Sequence, residues 1–122
     1  MCIRDRPNCT LLHLALGYSV IFPAIYGSTQ VEAVSALGIL ETYDAAAIIE
    51  AADIAAKTAI VDLIELRIAK GMCGKSYMLL TGEVSAVEAA IEKAKNLTGR
   101  KGMFLDSSVI AHPDDKMIRA IL

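Results

Sequence analysis

Gly74-Lys75-Ser76 is the stretch of this sequence that most closely matches a phosphate-binding motif. The same three residue types end the P-loop, in which backbone amides and a lysine hold the phosphates of a nucleotide. Counting back the length of that motif puts Ala69 where its first glycine should stand. The residues after Ser76 are typical of a strand, whereas a P-loop needs a helix N-terminus facing the phosphate. We therefore do not expect nucleotide binding here.

The pattern predicts no catalytic residues and favours a protein that is not an enzyme. His13 and His112 are far apart in the sequence, and His112 stands beside Pro113 at a predicted helix entrance. No Ser/His/Asp or Cys/His arrangement follows from the spacing. Several carboxylates are explained as solvent-exposed or salt-bridged groups on the protein surface. These carboxylates are Glu41, Glu50, Asp53, Asp62 and Glu65.

Composition and charge limit the class of protein. The 122 residues suit one domain with a modest core. Hydrophobic residues make up 55% of the chain but aromatic residues only 5%, so alanine and aliphatic side chains must provide the burial. A net charge of −2 gives no reason to expect nucleic-acid binding. The three cysteines, Cys2, Cys9 and Cys73, form no paired framework, which favours a reducing cytoplasm.

The N-terminal region carries no convincing targeting or membrane segment. The apolar stretch 11–24 is interrupted by polar residues and is too short to span a bilayer. No small-residue cleavage site follows it, so it is not a clear signal peptide. We interpret residues 1–13 as a translation artefact or a disordered segment, with 1–6 resembling translated adapter sequence. Residues 14–20 read as a strand.

The rest of the chain predicts an α/β fold of the α+β kind, in the element order β-α-β-β-α-β-α. This order is typical of a ferredoxin-like, four-stranded antiparallel sheet with helices on one face. Apolar positions at helical spacing predict the buried sides of the two longer helices. The predicted strands are 35–40, 59–70, 76–81 and 103–110, and the predicted apolar stripes are Ile48, Ala52 and Ala55, then Val87, Ala90, Ile91 and Ala94.

Local signals predict where these elements begin, end and bend. Thr42 or Asp44 can cap the first helix, and Ser85-Ala86-Val87-Glu88 matches a capping box at the start of the second. Gly99 suits a left-handed C-cap. The alternation of the second strand slips at Leu63-Ile64, where a bulge is expected. The last helix is expected to start at Pro113, which suits a first-turn position.

The order and spacing of several segments across residues 35–122 resemble the bacterial microcompartment (BMC) shell-protein family. The chain looks like the second BMC domain of a tandem-domain, trimeric shell protein of the propanediol-utilisation type (BMC-T). Residues 14–34 then resemble the tail of a preceding domain plus a linker. The segments that carry the resemblance are 36–42, 51–57, 61–64, 71–75, 79–87 and 108–113.

The resemblance also implies roles for particular residues. Gly71, Met72, Cys73, Gly74 and Lys75 match the loop that surrounds the central pore of a hexagonal tile. In a trimer, three copies of Cys73 would converge at that pore. Three thiolates could hold a 4Fe–4S cluster, with an outside ligand on the fourth iron. The alternative is an ordinary loop thiol.

At the tile edge, Asp53 and Lys57 match the helix motif whose lysine contacts the neighbouring tile. The same two residues can also form an ordinary i,i+4 ion pair. His112 and Pro113 match the second edge motif, which in the family usually reads Pro-Arg-Pro-His. The arginine is missing here, so an edge contact through it is not implied.

Two functions from different classes follow from these observations. The first is a structural shell protein in the cytoplasm that assembles with itself and other shell proteins, encloses enzymes, and passes metabolites through its pore or carries an iron–sulfur cluster there. The second is a small ferredoxin-like regulatory domain that binds an effector, since this fold serves many roles. Neither function involves nucleic acid or a membrane.

Overall fold

The computed structural model describes residues 21, 23–26, 33–68 and 74–121, and it confirms the predicted order of elements. The predicted segments 1–13 and 14–20 lie outside the described residues. Residues 23–25 are helical. The elements are β1 Ala36–Thr42, α1 Ala45–Thr58, β2 Val61–Ile68, β3 Ser76–Gly82, α2 Val84–Arg100, β4 Phe104–Ala111 and α3 Asp115–Ile121.

The four strands form one antiparallel sheet in the order β2-β3-β1-β4. Its register defines two ends that matter for the candidate site. The Ala36 end aligns Val61, Gly82, Ala36 and Ala111, and the Thr42 end aligns Ile68, Ser76, Thr42 and Phe104. Each seven-residue strand separates the two ends by roughly 20 Å.

The main core lies between the sheet and the two longer helices, and it is built from small residues. Both predicted apolar stripes are confirmed, since their members are buried. Alanines at 47, 51, 52 and 55 of α1 and at 90 and 94 of α2 are 3% exposed or less. Such short side chains allow the helices to approach the sheet closely. Ile21 and Ala24 also contact this core.

The prediction that the helices share one face is wrong for α3, which covers the opposite face of the sheet. A second apolar cluster of Leu37, Ile64 and Leu79 lies on that face, and Met117 of α3 packs against it. β1 and β3 are therefore apolar on both faces, because a strand with helices on both sides has no solvent face. α3 itself has no buried residue.

The structure corrects both predicted ends of α2. α2 starts at Val84 with Glu83 at its N-cap and no capping hydrogen bond, so the capping box at 85–88 is wrong. The predicted C-cap Gly99 is inside α2, and Gly102 adopts the left-handed conformation (φ 68°). The Met103 amide donates to the Thr98 carbonyl and the Gly102 amide to the Gly99 carbonyl, which are the bonds of a Schellman turn that ends the helix around Gly102.

The remaining predictions are confirmed for the start of α1 and the bulge in β2, and wrong for the start of α3. Asp44 occupies the N-cap of α1, as predicted, although its side chain makes no capping bond. α3 begins at Asp115 instead of Pro113, because the Asp114 carboxylate accepts from the Lys116 amide at 2.7 Å and caps the helix. The bulge is confirmed, with a register shift between Leu63 and Glu65.

No helix within the described part of the chain is long and apolar enough to cross a membrane.

α2 approaches the sheet closely at Gly38, and this gives a stability prediction. A Cβ atom at this position would lie 2.8 Å from both Leu80 Cδ1 and Val87 Cγ1. We expect Gly38→Ala to lower the free energy of unfolding by about 1–3 kcal/mol, because the core must shift to accept the methyl group. Urea unfolding followed by circular dichroism measures the change.

Gly99→Ala is the matched control for that substitution. A Cβ atom at Gly99 would meet nothing within 4 Å, and the residue is helical. Alanine should leave the stability unchanged or raise it by up to about 1 kcal/mol. Equal effects of the two substitutions would contradict the close-approach explanation.

Candidate functional site

The predicted pore loop reaches the Thr42 end of the sheet. Gly71, Met72 and Cys73 lie outside the described residues, whereas Gly74 and Lys75 lead directly into β3. Gly74 has φ 81°, and a Cβ atom there would lie 3.2 Å from the Tyr43 carbonyl oxygen. Its own carbonyl accepts from the Ser76 hydroxyl at 3.0 Å. Only glycine fits this turn easily, so the backbone that closes the loop is well defined.

Lys75 is exposed and makes no ion pair or hydrogen bond with another residue that the structure describes. β3 starts at Ser76, so a strand follows Gly74-Lys75-Ser76, as the sequence predicted. The helix N-terminus that would face a phosphate in a P-loop is therefore missing here. Among the described residues, Lys75 therefore places an unpaired positive charge directly before β3.

A fixed ion pair stands on β2 just before the loop. The Arg67 guanidinium donates to Glu65 Oε1 through Nε at 3.0 Å and through its terminal nitrogen at 2.6 Å. This hydrogen bond and the charge of Glu65 raise the pKa of Arg67 above its usual value. Both side chains belong to the edge strand β2. Their opposite charges cancel, so the pair adds no net charge to that edge of the sheet.

The predicted tile-edge residues of α1 lie toward the opposite end of the sheet. α1 runs from the Thr42 end back to the Ala36 end, and Lys57 is in its last turn. Lys57 Nζ pairs with Asp53 Oδ2, which is the predicted i,i+4 ion pair. Lys57 also suits the negative C-terminal end of the helix. The pair is exposed, so Lys57 can be reached by a neighbouring molecule.

His112 and Pro113 extend the same end of the sheet. His112 follows β4 and is the only described residue other than glycine with a positive φ, 54°. Its backbone amide donates to the Ser35 carbonyl at 3.2 Å, which ties the end of β4 to the start of β1. Histidine tolerates this left-handed conformation better than most residues, but at some cost in strain.

One exposed residue at the Ala36 end was not predicted from the sequence. Ile60 lies between α1 and β2 and is 96% exposed. A single apolar residue before a strand gives no sequence signal that distinguishes it from a core residue. The structure therefore brings Lys57, Ile60 and His112 to the Ala36 end and places Gly74 and Lys75 at the Thr42 end.

No group of three or more His, Cys, Asp or Glu side chains in the described ranges could hold a metal ion within one chain. The predicted cluster does not depend on such a group, because it draws one Cys73 from each of three chains. Since Cys73 itself is outside the described residues, its metal site stays a prediction.

Comparison with known proteins gives consistent results. The family model described as BMC domain matches residues 36–113. The bacterial microcompartment shell protein PduT of Citrobacter freundii is 39% identical over 105 residues, which cover 86% of this chain and 57% of that protein. A microcompartment protein from Desulfitobacterium hafniense DCB has a crystal structure that matches with a TM-score of 0.77 and 43% identity, covering 81% of this chain and 55% of that one. The chain thus spans a little over half the length of these relatives.

The conformation of His112 gives a second stability prediction. We expect His112→Gly to keep or raise the free energy of unfolding, by up to about 1 kcal/mol, because glycine adopts positive φ without strain. His112→Val should lower it by about 1–3 kcal/mol, since a β-branched residue resists this conformation. Thermal unfolding of both variants checks the difference, and equal stability of the two would show that the positive φ is not maintained.

Proposed function

Because the chain belongs to the BMC-domain family, we propose that it is a structural component of a bacterial microcompartment shell. In this role it assembles with copies of itself and with other shell proteins into flat hexagonal tiles in the cytoplasm. Shell proteins of this family are structural, which agrees with the lack of a catalytic pattern in the sequence. The relative named as a shell protein, PduT, supports the same assignment.

The observation that carries the proposal is the separation of two groups of residues along the sheet. A tile needs a loop near its centre and contact residues at its rim, at opposite ends of each wedge-shaped domain. Gly74 and Lys75 lie at the Thr42 end, and Lys57 and His112 lie at the Ala36 end. The two groups are roughly 20 Å apart along the strands.

Ile60 supports an intermolecular contact at the Ala36 end. An isoleucine that is 96% exposed contributes nothing to the stability of a single domain. At the same end of the sheet as Lys57, it offers apolar surface to a neighbouring tile, and such surface is stabilising only when it is covered. The regulatory-domain alternative is less well supported, because it predicts no role for this pair of exposed residues.

We further propose that the native assembly is a trimer of tandem-domain chains with pseudo-sixfold symmetry. The relatives are long enough to hold a second domain, since this chain covers 57% and 55% of their lengths. In that arrangement the loop 71–75 faces the pore. Cys73 and Lys75 then determine which class of solute passes through the pore, or whether an iron–sulfur cluster blocks the pore.

Lys57 provides the test of tile assembly. We expect Lys57→Ala to change the free energy of unfolding by about 0.5 kcal/mol or less, because the exposed pair with Asp53 contributes little to stability. The extended sheets formed by the unchanged protein should nevertheless be lost in negative-stain images. The contact between tiles, and not the fold, is what this lysine stabilises.

Lys93→Ala is the matched control, since Lys93 is an exposed helical lysine on α2. The Lys93→Ala variant should still form the extended sheets seen in negative-stain images. Extended sheets from the Lys57→Ala variant would remove Lys57 from the tile edge. A purified protein that stays monomeric under all conditions would count against the shell function itself.

The iron–sulfur cluster is a separate prediction that depends on the trimer. The complete tandem-domain protein, purified as the trimer without oxygen, should be brown and should lose its colour in Cys73→Ser, because a serine hydroxyl is a poor ligand for iron. Cys9→Ser should keep the colour. A colourless protein in which Cys73 reacts readily with an alkylating agent would make it an ordinary pore thiol.

A further inference from the structure

The outer edge of the sheet at β4 is incompletely covered within a single chain. None of the eight residues of β4 is buried, although Phe104, Leu105, Val109 and Ile110 are apolar. The other edge strand, β2, buries four of its eight residues. β4 also pairs on one side only. An edge strand with unburied apolar residues at both of its ends is usually protected by a neighbour.

An open groove runs beside this edge, between α2 and β4, with a volume of about 580 Å³. Ile91 and Val109 contribute apolar surface to it, and Glu88 and Glu92 contribute two carboxylates one helical turn apart. Neither glutamate forms an ion pair within the described part of the chain. Two like charges at i and i+4 destabilise a helix, so a cation bound beside them would be stabilising.

The one lysine of the groove does not meet that need. Lys95 Nζ lies over the ring of Phe104, 5.6 Å from its centroid, which directs the ammonium toward β4. The groove therefore presents two uncompensated carboxylates beside a lining that mixes apolar residues with serine hydroxyls. Its chemistry fits a partner that brings two cations at the spacing of one helical turn.

The chain itself carries such a surface on α3. Met117, Ile118 and Ile121 face the sheet, and Lys116 and Arg119 stand three residues apart on the other side of the helix. Both cations are exposed, and neither pairs with another residue that the structure describes. Side chains at i and i+3 lie about 5–6 Å apart between Cβ atoms, which matches the spacing of Glu88 and Glu92.

The two surfaces cannot meet within one chain, because α2 and α3 lie on opposite faces of the sheet. We propose that the outer side of α3, through Lys116 and Arg119, docks into the α2–β4 groove of a second copy, against Glu88 and Glu92. This contact rests on the proposed self-assembly and names a surface for it. It joins two different patches, so it is heterologous and, in the proposed assembly of trimers, links neighbouring tiles into an extended lattice.

Charge reversal tests the contact. Glu88→Lys with Glu92→Lys should raise the protein concentration needed for assembly about tenfold or more, because like charges then face each other. Lys116→Glu with Arg119→Glu should have the same effect. The protein that carries all four substitutions should assemble again, since the attraction is restored with reversed sign. Sedimentation velocity under reducing conditions measures all four proteins, and rising salt should weaken the unchanged assembly.

Lys93→Glu with Arg100→Glu is the control for altered charge on α2 outside the groove, and it should assemble normally. If both charge-reversed proteins assemble poorly and the protein with all four substitutions does not recover, the groove binds a different partner and the proposal is overturned. Normal assembly of both reversed proteins would overturn it while leaving the shell function intact. A monomeric unchanged protein would overturn both, so the two failures are distinguishable.

Discussion

The close approach of two alanine-rich helices to the sheet is the constraint on which the rest of the structure depends. Gly38 leaves no room for even a methyl group against Leu80 and Val87. Six alanines in α1 and α2 are almost completely buried in the same core. Because the packing is this close, the relative positions of strands and helices have little freedom, and the two ends of the sheet are held at a fixed separation.

That fixed separation is what a shell component needs. A tile that repeats over a lattice accumulates any error in the distance between its centre and its rim. Here the strands run from Lys57 and Ile60 at one end to Gly74 and Lys75 at the other, with hydrogen-bonded registers along the whole length. The buried Thr81 hydroxyl donates to the Ala36 carbonyl at 2.8 Å and fixes the Ala36 end further.

The two faces of the sheet are built differently, and this difference separates folding from assembly. The face under α1 and α2 holds nearly all of the completely buried side chains and stabilises the domain. The other face has a small cluster covered by α3, which is short and has no buried residue of its own. Side chains around β4 and α3 remain half-exposed, so their burial is completed by a neighbour in the proposed assembly.

The sequence by itself determined the element order, the two buried stripes, the bulge in β2 and the family, because these depend on periodicity and spacing along the chain. It also paired Asp53 with Lys57, since i and i+4 neighbours on a helix need no tertiary information. It did not place the ends of α2 correctly. The Ser85-Glu88 and Gly99 signals are local: the helix begins before Ser85, with Glu83 at its N-cap, and the left-handed turn that ends it is at Gly102 instead of Gly99.

Only the tertiary structure decided which distant residues share an end or a face of the sheet. The register joins His112 to Ser35 and brings Lys57 and Ile60 to the same end, and no spacing in the sequence encodes that register. The position of α3 on the opposite face also needed the fold, because a seven-residue amphipathic helix fits either face equally well by pattern. Its side was decided by Leu37, Ile64 and Leu79, which come from three different strands and form one apolar surface only after the sheet is assembled.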